Sequence, residues 1–139
     1  MHRLRTRLYK CSVCDTVVEV LDGCGPEIAC CGRPMDGLFE NAAAMTGDDH
    51  RAFLQWTDDG LKVSIGPTPH PCESDHHIAW IEAIAGRTCC RQFLGPGRSP
   101  EVTFHIPRGT VTIRAYCTLH GLKSLTSSVQ SPLVLAEVT

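Results

Sequence analysis

Cysteine spacing constrains this chain more than any other feature. Nine cysteines fall at positions 11, 14, 24, 30, 31, 72, 89, 90 and 117 of 139 residues, and five of them crowd the first 36. The count is odd, and no apolar signal region follows the basic start "MHRLRTRLYK". A fully paired disulfide framework is therefore disfavoured, and reduced, metal-binding thiols are expected. In the crowded segment Cys11-x-x-Cys14 is followed by the adjacent pair Cys30–Cys31. A C-x-x-C turn aims two thiolates at one point, and a second pair closes a tetrahedron around zinc or iron. Adjacent cysteines converge only if the backbone bends between them, because successive side chains diverge. Cys24 lies inside the loop and is read as a spare thiol, since the four outer positions complete a site. So small a segment takes most of its folding energy from the ion, and a purely structural zinc knuckle is the lesser alternative on spacing alone.

The rest of the chain reads as short strands. "LKVSIG" alternates Leu61, Val63 and Ile65 against Lys62 and Ser64, after a "TDDG" turn. "EVTFHI" alternates Val102, Phe104 and Ile106 against Glu101, Thr103 and His105. "TVTIRAYC" puts Val111, Ile113, Ala115 and Cys117 on one face. The Pro/Gly clusters "LGPGRSP" and "IPRGT" punctuate these runs, while "HHIAWIEAIAG" suits a buried strand or a short helix equally. About seven strands at this spacing imply an immunoglobulin-like β-sandwich or small barrel. The expected organisation is a metal module over 1–36, a β-sandwich over 37–126 that opens on a linker or loop (36–50), and a tail over 127–139. Part of that tail could instead add an edge strand.

A hydrophobic content of 42% supports a core. A net charge of −2 argues against a nucleic-acid partner, and no apolar run reaches the roughly 20 residues of a membrane span. A soluble, cytoplasmic protein is expected.

The order C-x-x-C, β-run, "CCGRPM" resembles the desulforedoxin module that heads the two-iron desulfoferrodoxins, and the resemblance extends over about residues 8 to 123. It implies iron on Cys11, Cys14, Cys30 and Cys31, with zinc an alternative there. It also implies a second iron, the superoxide reductase centre, on four histidines and one cysteine. "DDH", "HPCESDHHIAWIEAI" and "YCTLHG" match the family segments that supply them, which implies His50, His70, His76 and His120 as nitrogen ligands and Cys117 as the thiolate. His77 adjoins His76, and the family spacing selects His76. His2 and His105 have no motif support, and Cys72, Cys89 and Cys90 have no family counterpart; these three read as buried or half-buried thiols. The implied activity is one-electron reduction of superoxide to hydrogen peroxide. A rubredoxin or a reductase would be the electron donor, and the module would pair two copies into a homodimer.

One segment departs from the pattern. Where the family has Glu-Lys before the first histidine, this chain has Asp48 and Asp49. Asp48 is one methylene shorter than the glutamate that caps the resting iron. Asp49 reverses the charge of the lysine that attracts superoxide, and Arg51 is the nearest cation that could compensate. Two other functions therefore stand beside the first. One is a repurposed mononuclear iron enzyme acting on oxygen or a small organic substrate. The other is an iron-binding electron-transfer or metal-buffering protein.

Overall fold

The computed structural model describes residues 7–23, 27–38, 52–66, 76–119 and 121–127. The chain divides into two compact units, Met1–Phe39 and Glu40–Thr139, and its described elements are all strands.

The first unit is held by turns more than by a core. Strands β1 (Arg7–Lys10), β2 (Val17–Val20) and β5 (Asp36–Leu38) form an antiparallel sheet in the order β2-β1-β5. β5 takes in the first three residues of the stretch read as linker, where Asp36, Gly37 and Leu38 pair with Lys10, Tyr9 and Leu8. A separate hairpin joins β3 (Ala29–Cys30) to β4 (Arg33–Pro34). Among the described residues of this unit, Leu8, Cys11, Val20 and Met35 are the buried apolar ones, too few to stabilise a unit of 39 residues unaided.

The second unit is a sandwich. β6 (Ala52–Thr57), β7 (Gly60–Ile65) and β10 (Glu101–Phe104) form one sheet, ordered β10-β7-β6. β8 (Ile78–Ala85), β9 (Thr88–Phe93), β11 (Val111–Cys117) and β12 (Gly121–Ser127) form the other, ordered β12-β11-β8-β9. Alternate residues meet in the core: Leu54, Trp56, Leu61, Val63 and Phe104 from one sheet, Ile81, Ala83, Val111, Ile113, Ala115 and Cys117 from the other. Asp58 and Asp59 make the two-residue loop between paired Thr57 and Gly60. β12 already includes Thr126 and Ser127, and the remainder of the expected tail lies outside the described residues.

The ambiguous "HHIAWIEAIAG" is strand β8, not a helix. It lacks clean alternation because both its faces are buried. Ile81 and Ala83 face the core, while Trp80 stacks on Tyr116 of β11 with ring centroids 5.8 Å apart. Beside that pair, fully buried Glu82 is gripped by Arg114 and Arg91 from the flanking strands. Arg91 also lies over the Trp80 ring at 5.1 Å.

Candidate metal centres

The C-x-x-C turn is built by backbone hydrogen bonds that close around it. Asp15 N–H donates to the Cys11 carbonyl at 3.0 Å, and Cys11 N–H donates to the Thr16 carbonyl at 2.9 Å. Asp15 takes the left-handed conformation, φ 64°, which Asp tolerates better than most residues. The adjacent pair converges through the β3–β4 hairpin. Cys30 and Arg33 are paired, and the two residues between them, Cys31 and Gly32, have φ of 53° and 71°. Two successive left-handed residues make the tight turn that twisted hairpins favour, and this is the bend that adjacent ligating cysteines require.

The four sulfurs that result lie within 4.8 Å of one another. Cys14 and Cys30 Sγ are 3.6 Å apart, and Cys30 and Cys31 Sγ are 3.9 Å apart. A tetrahedron with metal–sulfur bonds of about 2.3 Å has edges of roughly 3.8 Å, so the donor set fits a four-coordinate thiolate ion. The thiols also compete for protons. The Thr16 hydroxyl, 3.0 Å from Cys14 Sγ, lowers the Cys14 pKa to about 6. Cys30, hydrogen-bonded first to Cys14, is pushed up to about 12, and Cys31 is raised too, chiefly by Cys14. Four sulfurs this close cannot all be anionic without a cation between them.

In the sandwich, a bulge decides which residues meet Cys117. Tyr116 pairs with Trp80, but Cys117 pairs with Ile78, so Ala79 has no opposite number. The inner face of β8 therefore shifts from Ala83 and Ile81 to Ile78, as bulges re-aim a strand. His76 lies two residues before Ile78, and its Nε2 is shielded from solvent. His77 is half-buried, and its backbone is clamped to the residue after Cys117. Its N–H donates to Thr118 Oγ1 at 3.1 Å, and Thr118 N–H donates to the His77 carbonyl at 3.0 Å. Cys117 itself is fully buried. This brings the chain segment that carries His76 to the end of the strand that carries buried Cys117; imidazole nitrogen and thiolate sulfur are both donors that suit iron.

His50, His70, His120, Asp48, Asp49 and Arg51 lie outside the described residues, as do Cys24, Cys72 and His2. His105 is engaged elsewhere: its Nδ1 donates to the Asp59 carbonyl at 2.8 Å, at the β6–β7 turn. Cys89 is exposed, where a buried or half-buried thiol was expected, because β9 lies at the edge of its sheet. Cys90 is half-buried, against the core. Thr118 escaped the sequence reading, since a lone threonine at a strand end gives no spacing signal.

Fold and donors together define an all-β metal-binding protein of two units. Residues 54–125 match the family model described as desulfoferrodoxin, and residues 5–38 match the desulfoferrodoxin N-terminal domain. A desulfoferrodoxin of Syntrophotalea carbinolica is 42% identical over 120 residues, 86% of this chain and 95% of that protein. A superoxide reductase of Pyrococcus abyssi is 28% identical over 95 residues, 55% of this chain and 83% of that one. In fold, the crystal structure of the superoxide reductase from Treponema pallidum superposes with a TM-score of 0.69 at 22% identity, covering 90% of this chain and 99% of that one. The chain belongs to the desulfoferrodoxin family, an iron-binding family. Among the described residues, no helix is long and apolar enough to cross a membrane.

Proposed function

We propose that this chain is a non-heme iron oxidoreductase that reduces superoxide by one electron, consuming two protons and giving hydrogen peroxide. The observation that carries this reading is the joining of β8 and β11 at the bulge, where the Thr118 clamp fixes the His76 segment beside buried Cys117. His50, His70, His76 and His120 would hold the second iron with Cys117, and Cys11, Cys14, Cys30 and Cys31 the first, with zinc the alternative at the four-sulfur site. Ferrous iron held by these residues would supply the electron.

The protein's part is to hold that site rigid and dry. Cys117 enters from the sandwich core, so its sulfur is kept from bulk water. Thr118 ties the segment that carries His76 to the end of β11. Asp48, Asp49 and Arg51 would line the approach, with Asp48 as the capping carboxylate and Arg51 as the cation opposing Asp49. A rubredoxin or a reductase would return the electron in the cytoplasm. The first unit would associate into a homodimer, for which its exposed apolar Val13 and Leu21 are the support.

Stopped-flow mixing of the reduced protein with superoxide tests this directly: fast second-order loss of superoxide with no oxygen released is expected. In the native protein added salt should leave the rate flat or raise it. Asp49→Lys should speed the reaction by about one order of magnitude at low ionic strength and make it fall with salt. No fast reaction in either protein would favour the second reading, an iron enzyme repurposed toward oxygen or an organic substrate, which the reversed charge at Asp49 motivates.

A further inference from the structure

A buried lysine stands behind the proposed thiolate. Lys123 is only 3% exposed. Its register partner across β11–β12 is Ala115, a core residue. Directly opposed residues share a face, so Lys123 enters the sandwich from the inner side of β12. Cys117 is two residues beyond Ala115 and on the same face.

The geometry next to Cys117 is open on this side. Its own partner on β12 is Gly121, which has a φ of 87° and no side chain to interpose. Lys123 is therefore the first β12 side chain able to flank the sulfur. A diagonal cross-strand neighbour lies about 7–8 Å away, within reach of a long side chain. Ala115, the smallest side chain that still has a Cβ, leaves space for the lysine stem.

The charges nearby fit this placement. Burial lowers the Lys123 pKa, and negative charge at Cys117 opposes that shift. Glu82 is engaged on the other face of the sheet by Arg91 and Arg114, and Glu101 by Lys62 on the other sheet. An inward lysine costs desolvation energy unless it meets an anion, and Cys117, as an iron-bound thiolate, would supply one.

We propose that Lys123 is a positioning residue that acts through Cys117, its ammonium charge withdrawing electron density from the thiolate and so raising the reduction potential of the iron. This rests on Cys117 as an iron ligand. A positive charge behind the sulfur stabilises the more electron-rich ferrous state. It also lowers the sulfur orbitals from which the visible charge-transfer transition to ferric iron starts. Family members with a neutral residue here would have a more strongly donating sulfur and a lower potential.

The test compares Lys123→Met, Lys123→Gln and Lys123→Arg in the full, iron-loaded protein. The readouts are the sulfur-to-iron band of the oxidised second centre and its midpoint potential. Both neutral variants should shift the band to longer wavelength and lower the Fe(II)-favouring equilibrium about tenfold, ~59 mV for a one-electron couple. Lys123→Arg should keep native values. Should a variant lose iron, either remaining neutral change carries the comparison against Lys123→Arg. A native band that neither neutral variant moves overturns the role of Lys123 alone. So does a pattern in which Met preserves the native values and Arg disturbs them, since packing and not charge would then govern. A native second centre with no such band, or one that survives Cys117→Ser, removes the thiolate ligand and this proposal with it.

Discussion

The four-sulfur cluster and the surroundings of Cys117 are built in opposite ways. The four-sulfur cluster is local: two tight turns, Cys11–Thr16 and Cys30–Arg33, aim every donor, and the surrounding unit buries very little. The cluster around Cys117 depends on sheet register. Cys117 faces inward only because β11 holds its alternation, and Ile78 meets it only because β8 carries one extra residue. A turn-built site needs the correct local residues, whereas a register-built site needs the whole sheet correct, since a one-residue slip turns each side chain to the other face. The first should therefore fail with its ion, and the second with its sheet.

Cys14→Ser breaks the comparison at its strongest point. It removes one of four thiolates from a unit with little core, so iron in that centre should be lost entirely, and the unit should lose its protease resistance. The second centre should keep its iron and its spectrum. Metal analysis showing both irons gone would mean that the two centres are not independent. The converse change is Glu82→Ala. It leaves Arg114, 2% exposed, inside the sheet without its carboxylate, at a cost of about 3–5 kcal/mol. Denaturant unfolding should shift by that amount for the sandwich alone, with the four-sulfur chromophore unchanged at the new midpoint.

The same contrast explains what was legible in the sequence. Local signals were readable: C-x-x-C, the adjacent cysteines, "TDDG", and the alternation of β7, β10 and β11. β8 resisted because its outer face buries Trp80 and Glu82, which erases the period of two. β9 was missed because "TCCRQF" is a half-exposed edge strand without a pattern. β12 was missed because Lys123 occupies an inward position, where alternation predicts an apolar residue. Both Lys123 and Thr118 earn their places through partners on other strands, which a single sequence does not reveal. The family resemblance carried the reading of the histidine segments, since composition and period alone would have left His76 and His77 equivalent.

Protons sharpen the picture of the local site. In the metal-free protein Cys14 is exposed, with its pKa lowered to about 6, while Cys30 is raised to about 12. At pH 7 an alkylating reagent should modify Cys14 well before Cys30. The Cys14 rate should fall as pH drops through about 6, because the reacting thiolate is then protonated. The linked stability has the same sign: with a folded pKa below the ordinary 9.0, the Cys14 contribution is present above 9 and is lost as pH falls through about 6. Thr16→Val deletes the hydroxyl that holds the thiolate, and should move the alkylation midpoint upward. Peptide mapping after brief alkylation reads both; equal labelling of the four cysteines would contradict the assigned hydrogen bonding.

The smallest effect tests the register-built site. Thr118→Val keeps the β-branched shape but removes the oxygen that accepts the His77 N–H at 3.1 Å. The Thr118 N–H bond to the His77 carbonyl is a backbone bond and should remain. One lost hydrogen bond at a half-buried position costs about 1 kcal/mol. Global unfolding should therefore change little, while the His76 segment gains freedom relative to Cys117. Iron should leave the second centre roughly fivefold faster under chelator challenge, with the four-sulfur centre releasing its ion at the native rate. Thr118→Ser, which restores an oxygen in the same place, should return the second centre to native retention. Equal loss from both centres would show a general destabilisation. Native retention in Thr118→Val would mean that the backbone bond alone sets the angle between β8 and β11.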